Sequence, residues 1–490
     1  MPIEIRNLNY SYDSQNEIFK NLNVKIDENW KLGLIGKNGA GKTTLLKLIN
    51  EHKLKEISTN LLIKYFPIAL SNKNLTLQEI IDEEFSSVES WKIYREMNLL
   101  DLSLDKLMQN FESLSGGEKV KFQLALLFAE EDCFVLLDEP TNHLDEDSKE
   151  KILSYLNNKK GFILTSHDRW LLDNTIDHTL ILDNKQCEVQ KGNYSTWEEN
   201  YNRKIEYEKS QNEIISKEIQ RLEMTKEKNL KWAGDAERAK NKNNNQNQAV
   251  LDRGYFGSKA AKAMKRAKAV EDRIDSNIEK KKELLLNVEK EEDVKLFPLT
   301  TNKNKTIISC KKINAVYGEK QVFNDLSFEI KDGDRIALKG KNGSGKSTLI
   351  KILLGLNPSY KGEIFKKNNL KISYVTQEIS NLKGSIQEFA QTQDINLTVL
   401  LTLLKKLGVK REVFDNDIRN LSDGQKKKLL LASSLATPAD LYIWDEPFNF
   451  IDIFTRIKIE NLILKYKPTM IFVEHDKFMI DKLATKIIQL

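Results

Sequence analysis

Cysteine is scarce: Cys133, Cys187 and Cys310 are the only three in 490 residues, they lie far apart, and their number is odd. That excludes a disulfide framework and any site with cysteine metal-ligand spacing, and it favours a reducing, cytoplasmic location. Long apolar runs are also lacking. No stretch approaches the ~18 residues of a membrane-spanning helix, and the mean hydropathy is −0.50. Met1 to Tyr12 alternate apolar and polar residues, without a basic n-region or an apolar h-region, so no secretory signal is expected. Nor does one sign of charge dominate: 77 Lys+Arg against 72 Asp+Glu leave +5, which designates no partner. What is present is 40% hydrophobic residues, enough for ordinary cores and incompatible with wholesale disorder. The length suits roughly three domains.

An internal repeat sets the architecture. Gly36-Lys-Asn-Gly-Ala-Gly-Lys42-Thr43 recurs as Gly340-Lys-Asn-Gly-Ser-Gly-Lys346-Ser347, and Leu114-Ser-Gly-Gly-Glu118 as Leu421-Ser-Asp-Gly-Gln425. Leu137-Asp138-Glu139-Pro140 recurs as Trp444-Asp445-Glu446-Pro447, and Ser166-His167-Asp168 as Glu474-His475-Asp476. The order is the same and the offset stays between 304 and 308 residues, so a domain is duplicated. The copies fill 1–189 and 301–490, with no C-terminal extension expected after the second, and 190–300 belongs to neither. The apolar runs Lys31–Ile35, Phe134–Leu137, Phe162–Leu164, Arg335–Leu338 and Leu441–Trp444 read as buried strands between amphipathic helices. Each copy is therefore expected to be α/β with a largely parallel sheet.

The glycine-rich segment follows a strand and precedes a helix start, the context of a P-loop. Glycines let backbone N–H groups close around phosphate oxygens at a helix N-terminus. Candidate nucleotide ligands are Gly36, Asn38, Gly39, Gly41, Lys42, Thr43 and Thr44 in the first copy. Gly340, Asn342, Gly343, Gly345, Lys346, Ser347 and Thr348 are their counterparts. The lysines reach the β- and γ-phosphates, and the Thr43 and Ser347 hydroxyls hold Mg²⁺. Asp138 and Asp445 end apolar strands, as expected of Walker B residues that hold magnesium through water. Glu139 and Glu446 follow as general bases. His167 and His475, placed after strands in both copies, are candidate γ-phosphate contacts.

In these motifs the chain resembles ATP-binding-cassette (ABC) ATPases over about 1–183 and 306–490, most specifically in Leu114-Ser-Gly-Gly-Glu118. The resemblance implies two composite ATP sites, each pairing one copy's P-loop with the other's signature residues, Ser115, Gly116 and Gly117 or Ser422 and Gly424. It implies adenine stacking on Tyr12 and Tyr317, and a Q-loop role for Gln377 in sensing magnesium and γ-phosphate. The copies depart from equivalence: Ile68 stands where a Q-loop glutamine belongs, Asp423 replaces the first signature glycine, and Phe448-Asn-Phe-Ile-Asp452 replaces Thr141-Asn-His-Leu-Asp145. Ile68 and Asp423 would fall in the same composite site, so the Lys42 site is expected to turn over slowly and the Lys346 site to be the more typical one.

The intervening segment has Ile215, Ile219 and Leu222, then Ala267, Val270, Ile274 and Ile278, at helical spacing. These periods predict an antiparallel helical hairpin, a coiled coil, with helices over 195–232 and 259–288 and a basic tip loop near 233–257. Residues 226–268 hold 12 Lys+Arg against 4 Asp+Glu, a net of +8 within a chain whose total is +5. That is the footprint of a nucleic-acid partner: Lys240, Lys242 and Arg253 for phosphates, Tyr255 and Phe256 for stacking on bases. Lys426, Lys427 and Lys428, by contrast, read as the solvated face of the helix after the second signature.

A hairpin between two complete cassettes resembles the ABC-F family of soluble translation factors, whose linker enters the ribosomal E site toward the peptidyl-transferase centre. Spacings of 73 residues from Lys42 to Ser115 and 76 from Lys346 to Ser422 leave no room for a coiled coil inside either head, or for the arm of housekeeping members. The long tip loop and the Phe448–Asp452 loop are similar to the subgroup that protects ribosomes against pleuromutilins, lincosamides and streptogramin A. The expectation is a monomeric ATPase acting on the 70S ribosome, its large-subunit rRNA and P-site tRNA. A housekeeping translation factor or a transporter's ATPase subunit are the alternatives.

Overall fold

The computed structural model describes residues 2–12, 17–51, 54–130, 132–141, 144, 146–183, 186–242, 265, 268–270, 272–281, 298–299, 305–317, 320–341, 343–356, 360–474 and 476–490. Inside helices and strands, the side chains of residues 146, 230, 232–242, 316, 317, 320 and 321 lie outside the described set. The chain divides into two compact units, Met1–Trp197 with Asp293–Leu490, and Glu198–Glu292.

In the first unit the repeat is a repeat of fold. The first copy opens with β1 (Ile3–Ser11), β2 (Glu17–Ile26) and, later, β4 (Ile57–Ser58), an antiparallel sheet of order β2-β1-β4. Its core sheet uses β3 (Lys31–Gly36), β5 (Leu62–Phe66), β6 (Cys133–Asp138), β7 (Phe162–Thr165), β8 (His178–Asp183) and β9 (Gln186–Lys191), in the order β5-β6-β7-β3-β8-β9. All neighbours are parallel except β8 and β9. The helices are α1 (Lys42–Glu51), α2 (Leu77–Glu84), α3 (Ser90–Leu99), α4 (Gly116–Phe128), α5 (Glu146–Asn157) and α6 (Arg169–Thr175). Four of the five apolar residues of the run Phe134–Leu137 and Ile163 are fully buried and the fifth nearly so, which is why these runs show no alternation: parallel strands are covered on both faces.

The second copy repeats the pattern with β10 (Thr306–Tyr317), β11 (Lys320–Lys331), β12 (Arg335–Lys339), β13 (Tyr360–Lys366), β14 (Ile372–Val375), β15 (Leu441–Asp445), β16 (Met470–Val473) and β17 (Lys486–Gln489). Sheet orders are β11-β10-β13 and β14-β15-β16-β12-β17. Its helices are α9 (Lys346–Leu354), α10 (Ile386–Thr392), α11 (Leu397–Lys406), α12 (Asp423–Ala436), α13 (Ile453–Tyr466) and α14 (Lys477–Leu483). In both copies the P-loop strand, β3 or β12, lies beside β7 or β16, and the Walker B strand lies one place further out. The motifs therefore leave the carboxyl ends of neighbouring parallel strands, where open α/β sheets form their ligand crevice.

The second unit contains most of α7 (Tyr194–Lys242, 49 residues) and α8 (272–281). At 1.5 Å per residue α7 is about 73 Å long. It continues ten residues into the segment expected to be loop, so Lys240 and Lys242 stand on a helix. Ala233, Ala236 and Ala239 among long charged residues favour helix strongly enough to carry it past Gly234. Ile219, Ile274 and Ile278 are buried against one another, with Ile215 and Leu222 packed beside them. Lys226 pairs with Asp275 at 2.7 Å and Lys281 pairs with Glu218. Later residues of α7 thus meet earlier residues of α8, which makes the pair antiparallel.

Candidate functional site

Each P-loop is shaped by glycines in the left-handed region: Gly39 and Gly41 at φ 79° and 96°, Gly343 and Gly345 at 81° and 99°. A Cβ on Gly41 would stand 2.6 Å from Ile18 Cγ2, and one on Gly345 would stand 2.2 Å from Val322 Cγ1, so these two positions admit only glycine. The chain then enters α1 or α9 with its lysine at the first turn. Lys42 Nζ donates to Gly36 O at 2.8 Å and Lys346 Nζ to Gly340 O at 2.6 Å, which centres each ammonium within its own loop at a helix N-terminus. Burial lowers the Lys42 pKa, while Glu139, Asp452 and Asp138 oppose that shift. Tyr12 presents an exposed ring next to this loop, its hydroxyl 2.9 Å from Thr44 Oγ1, a position suited to stacking on a base.

The Walker B carboxylates differ between the copies. Asp138 Oδ2 accepts from the Tyr65 hydroxyl at 2.9 Å and Oδ1 from Thr165 Oγ1 at 2.7 Å, so protein donors occupy both oxygens. Burial and the Asp138 charge raise the Tyr65 pKa above the ordinary phenol value. Asp445 accepts from the Ser347 hydroxyl of its P-loop, and its buried Oδ1 has no hydrogen-bond partner. Burial, then the neighbouring Glu446 charge, push its pKa up. A hydroxyl and a carboxylate with one unpartnered oxygen form a hard-donor set that suits Mg²⁺. Among the described residues no three His, Cys, Asp or Glu cluster as a metal site, so such an ion would take its remaining ligands from phosphate and water.

Glu139 and Glu446 are both non-glycine residues at positive φ, 52° and 46°, a strain of about 1 kcal/mol or more that is kept where side-chain aim matters. Glu139 Oε2 accepts from the backbone N–H of His167 at 3.2 Å. His167 Nε2 lies 3.4 Å from Glu139 Oε1 without hydrogen-bond geometry, and Oε1 and His167 Nδ1 are buried without partners. Burial raises the Glu139 pKa to about 7, and burial with the Lys42 charge holds His167 well below its usual value. A carboxylate poised near neutrality next to a neutral imidazole suits proton abstraction from water. In the second copy Glu446 Oε2 accepts from Gln377 Nε2 at 2.8 Å and from Asn449 Nδ2 at 2.6 Å, which joins the Q-loop position to the base position. Ile68 instead donates its backbone N–H to Gln123 Oε1 at 2.8 Å.

The signature segments start long helices. Ser115 and Ser422 each cap α4 or α12 and close a capping box with Glu118 or Gln425. A Cβ on Gly116 would meet nothing within 4 Å, so Asp423 at the matching position changes charge without crowding. A Cβ on Gly424 would stand 2.8 Å from Phe450 O and 3.1 Å from Asn38 Nδ2. Asn38 Nδ2 itself donates to Phe450 O at 2.8 Å. The second signature thus faces the first P-loop, and Asp423 is carried on the same helix end as Gly424. On the other side, Lys341 of the second P-loop pairs with Asp147 at 2.8 Å.

Two residues behind the sites were missed in the sequence. Lys427 and Lys428 are buried, 1% and 5% exposed, which corrects the expectation of a solvated lysine face; only Lys426 retains partial exposure. Lys427 Nζ donates to Thr376 O at 2.9 Å and lies 3.5 Å from Gln377 O and 3.4 Å from Asp445 O, while Lys428 pairs with Asp452 at 3.0 Å. Burial lowers the Lys427 pKa, against the raising effect of Glu474, Asp445 and Glu446. On α4 the Q-loop position is reached instead by Gln123, which aligns with Leu430 and accepts from the Ile68 N–H, while Val120 aligns with Lys427. The available signal was helical phase: Lys427 falls one turn before the buried Leu431. Asn342, His475, Arg253, Tyr255 and Phe256 lie outside the described residues, as do the side chains of Tyr317, Lys240 and Lys242.

The family described as ABC transporter matches residues 19–142 and 323–449, more than half of the chain. The ribosome protection protein VmlR of Bacillus subtilis (strain 168) is 29% identical, across 98% of this chain and 85% of its own length. ABC transporter F family member 5 of Arabidopsis thaliana is 26% identical, across 99% and 74%. Among solved structures, the archaeal ribosome recycling factor aABCE1, in complex with the ribosomal stalk protein aP1, superposes with a TM-score of 0.64 at 18% identity, covering 99% of this chain and 87% of that one. Among the described residues no helix is long and apolar enough to cross a membrane. Paired phosphate loops, cross-facing signature and family match converge: this chain belongs to the ATP-binding-cassette family, in its F group, and it hydrolyses ATP.

Proposed function

We propose that this chain is a cytoplasmic ribosome-protection ATPase. It binds the 70S ribosome at the E site and extends its interdomain hairpin toward the peptidyl-transferase centre, lowering the affinity of large-subunit antibiotics. The observation that carries this reading is the hairpin: an antiparallel helical unit of its own between two ATPase copies, with +8 of net charge on residues 226–268. A charge of that size on one helical segment favours phosphate backbones. VmlR, similar over nearly the whole chain, is named a ribosome protection protein.

In this reading ATP closes the cassettes, the closed protein engages the ribosome, and hydrolysis reopens it. Lys42 and Lys346 bind phosphate, Tyr12 and Tyr317 stack on adenine, and Glu139 and Glu446 take the proton from the attacking water. His167 and His475 contact the γ-phosphate. Thr43 and Asp138 in one site, and Ser347, Asp445 and Gln377 in the other, would hold Mg²⁺, which would supply neutralisation of phosphate charge. The Lys42 site is the slower, because Tyr65 and Thr165 already occupy Asp138 and Asp423 places a carboxylate at the capping signature. The hairpin moves tRNA and rRNA through Lys240, Lys242, Arg253, Tyr255 and Phe256.

Pelleting of the Glu139→Gln/Glu446→Gln protein through a sucrose cushion tests the ribosome assignment. It should travel with 70S particles in ATP and stay in the supernatant in ADP. Equal pelleting in the two nucleotides, or pelleting with membranes, contradicts the proposal.

A further inference from the structure

Arg456, on the first turn of α13, belongs to none of the ATPase motifs, yet it is buried between the two cassettes. Its guanidinium divides three donors. Nε donates to Ile451 O at 2.9 Å and Nη2 to Phe448 O at 2.8 Å, which fixes the second copy's own loop after Pro447. Nη1 crosses to the first copy and donates to His167 O at 2.7 Å. Asp476 Oδ2, 3.6 Å away, balances the charge. The backbone N–H of His167, in the preceding peptide, donates to Glu139 Oε2. A continuous chain of contacts therefore runs from the second cassette through His167 to the carboxylate next to Lys42.

The neighbouring loop is tied across the same boundary by Asn38 to Phe450 O. The corresponding residue of the first copy is Lys149, whose Nζ donates to Asp168 within its own cassette at 2.7 Å. An ammonium carries its three donors on one atom and cannot span separated acceptors as a planar five-donor fork does. Among the described residues the crossing contact is found at the Lys42 site.

We propose that Arg456 is a positioning residue of the Lys42 site, supplied in trans by the second cassette, which sets His167 against Glu139 when the cassettes are closed. It rests on the reading of Glu139 and His167 as members of that site. Closure in this way becomes a condition for a correctly aimed base, and ATP binding alone does not depend on it.

Single-turnover hydrolysis measured in two backgrounds tests the proposal. In Glu446→Gln protein, which isolates the Lys42 site, Arg456→Gln should lower the rate about tenfold or more, and Arg456→Lys should recover only part of it. In Glu139→Gln protein, which isolates the Lys346 site, Arg456→Gln should change the rate by less than about twofold. Binding of a fluorescent ATP analogue to the Glu139→Gln/Glu446→Gln protein should be unchanged by Arg456→Gln. An unchanged rate in the first background overturns the proposal, and so does an equal loss in both, which describes a general brace. Full rescue by lysine overturns the fork argument. Unabated turnover of the Glu139→Gln/Glu446→Gln protein would instead remove the Glu139 assignment, and the proposal with it.

Discussion

The ammonium of Lys427 sits beneath the second nucleotide site, bonded to one Q-loop carbonyl and close to two more, and facing Glu474, Asp445 and Glu446. A buried charge is kept only where it is compensated, and removing it strands its partners. Lys427→Met, close in shape, should cost about 1–3 kcal/mol of stability through the unsatisfied carbonyls. It should also lower turnover at the Lys346 site, with more Mg²⁺ needed for half-maximal rate, because Gln377 and Asp445 lose their common anchor. Hydrolysis at the Lys42 site should be unaffected. Single-turnover rates in the Glu139→Gln and Glu446→Gln backgrounds separate these effects, and an equal decline in both would show that Lys427 only stabilises the fold.

The same residue shows where sequence reading stops. Lys42, Ser347 and Asp445 were legible because backbone geometry forces their neighbours: glycines at positive φ, a strand before, a helix after. The partners of Lys427 are reached only through the packing of α12 on β14 and β15, and three consecutive lysines look alike until that packing says which face is inside. Arg456 escaped notice for the same reason. Its contact with His167 spans 289 residues of chain and two copies of the repeat.

Between elements, the cassettes meet through helices whose charges are buried together. Arg169, at the start of α6, donates to both oxygens of Glu460 on α13, at 3.1 and 2.5 Å, and to Asp476 ahead of α14 at 3.1 and 3.0 Å. Glu460 is fully buried and Arg169 is 1% exposed. Lys482 on α14 supplies Glu460 with a second cation at 3.0 Å. The pseudo-equivalent of Arg169 is Lys477, which makes an exposed pair with Glu150 and stacks on Trp170. Exposed pairs contribute little, whereas breaking a buried one leaves an uncompensated charge. Arg169→Ala should therefore destabilise the protein by about 3–5 kcal/mol, and Lys477→Ala by less than about 1 kcal/mol. Urea unfolding of both variants checks this; similar losses would mean that the two sides of the interface are equally loaded. None of this network was visible in the motifs. The strands were, because β3, β6, β7, β12 and β15 are built on apolar runs; among the described residues the end of α7 was misplaced, where alanines outweigh a glycine.

At the scale of the molecule, the two ATPase copies and the hairpin divide the work. The copies carry paired sites that differ in the surroundings of Asp138 and Asp445. The hairpin carries the excess charge: +8 on residues 226–268 of a chain whose total is +5. Its antiparallel register, set by Ile219, Ile274 and Ile278 and the pairs Lys226–Asp275 and Lys281–Glu218, gives the segment a scaffold that a flexible linker would not. In the proposed function this segment protects ribosomes from drugs. That role is tested most directly by drug susceptibility of a sensitive bacterium that expresses the wild type, a variant lacking residues 240–257, or an empty vector. The wild type should raise the inhibitory concentration of at least one large-subunit antibiotic, and the deletion should return it to the empty-vector level. Equal susceptibility of wild type and empty vector to every such drug would contradict that role.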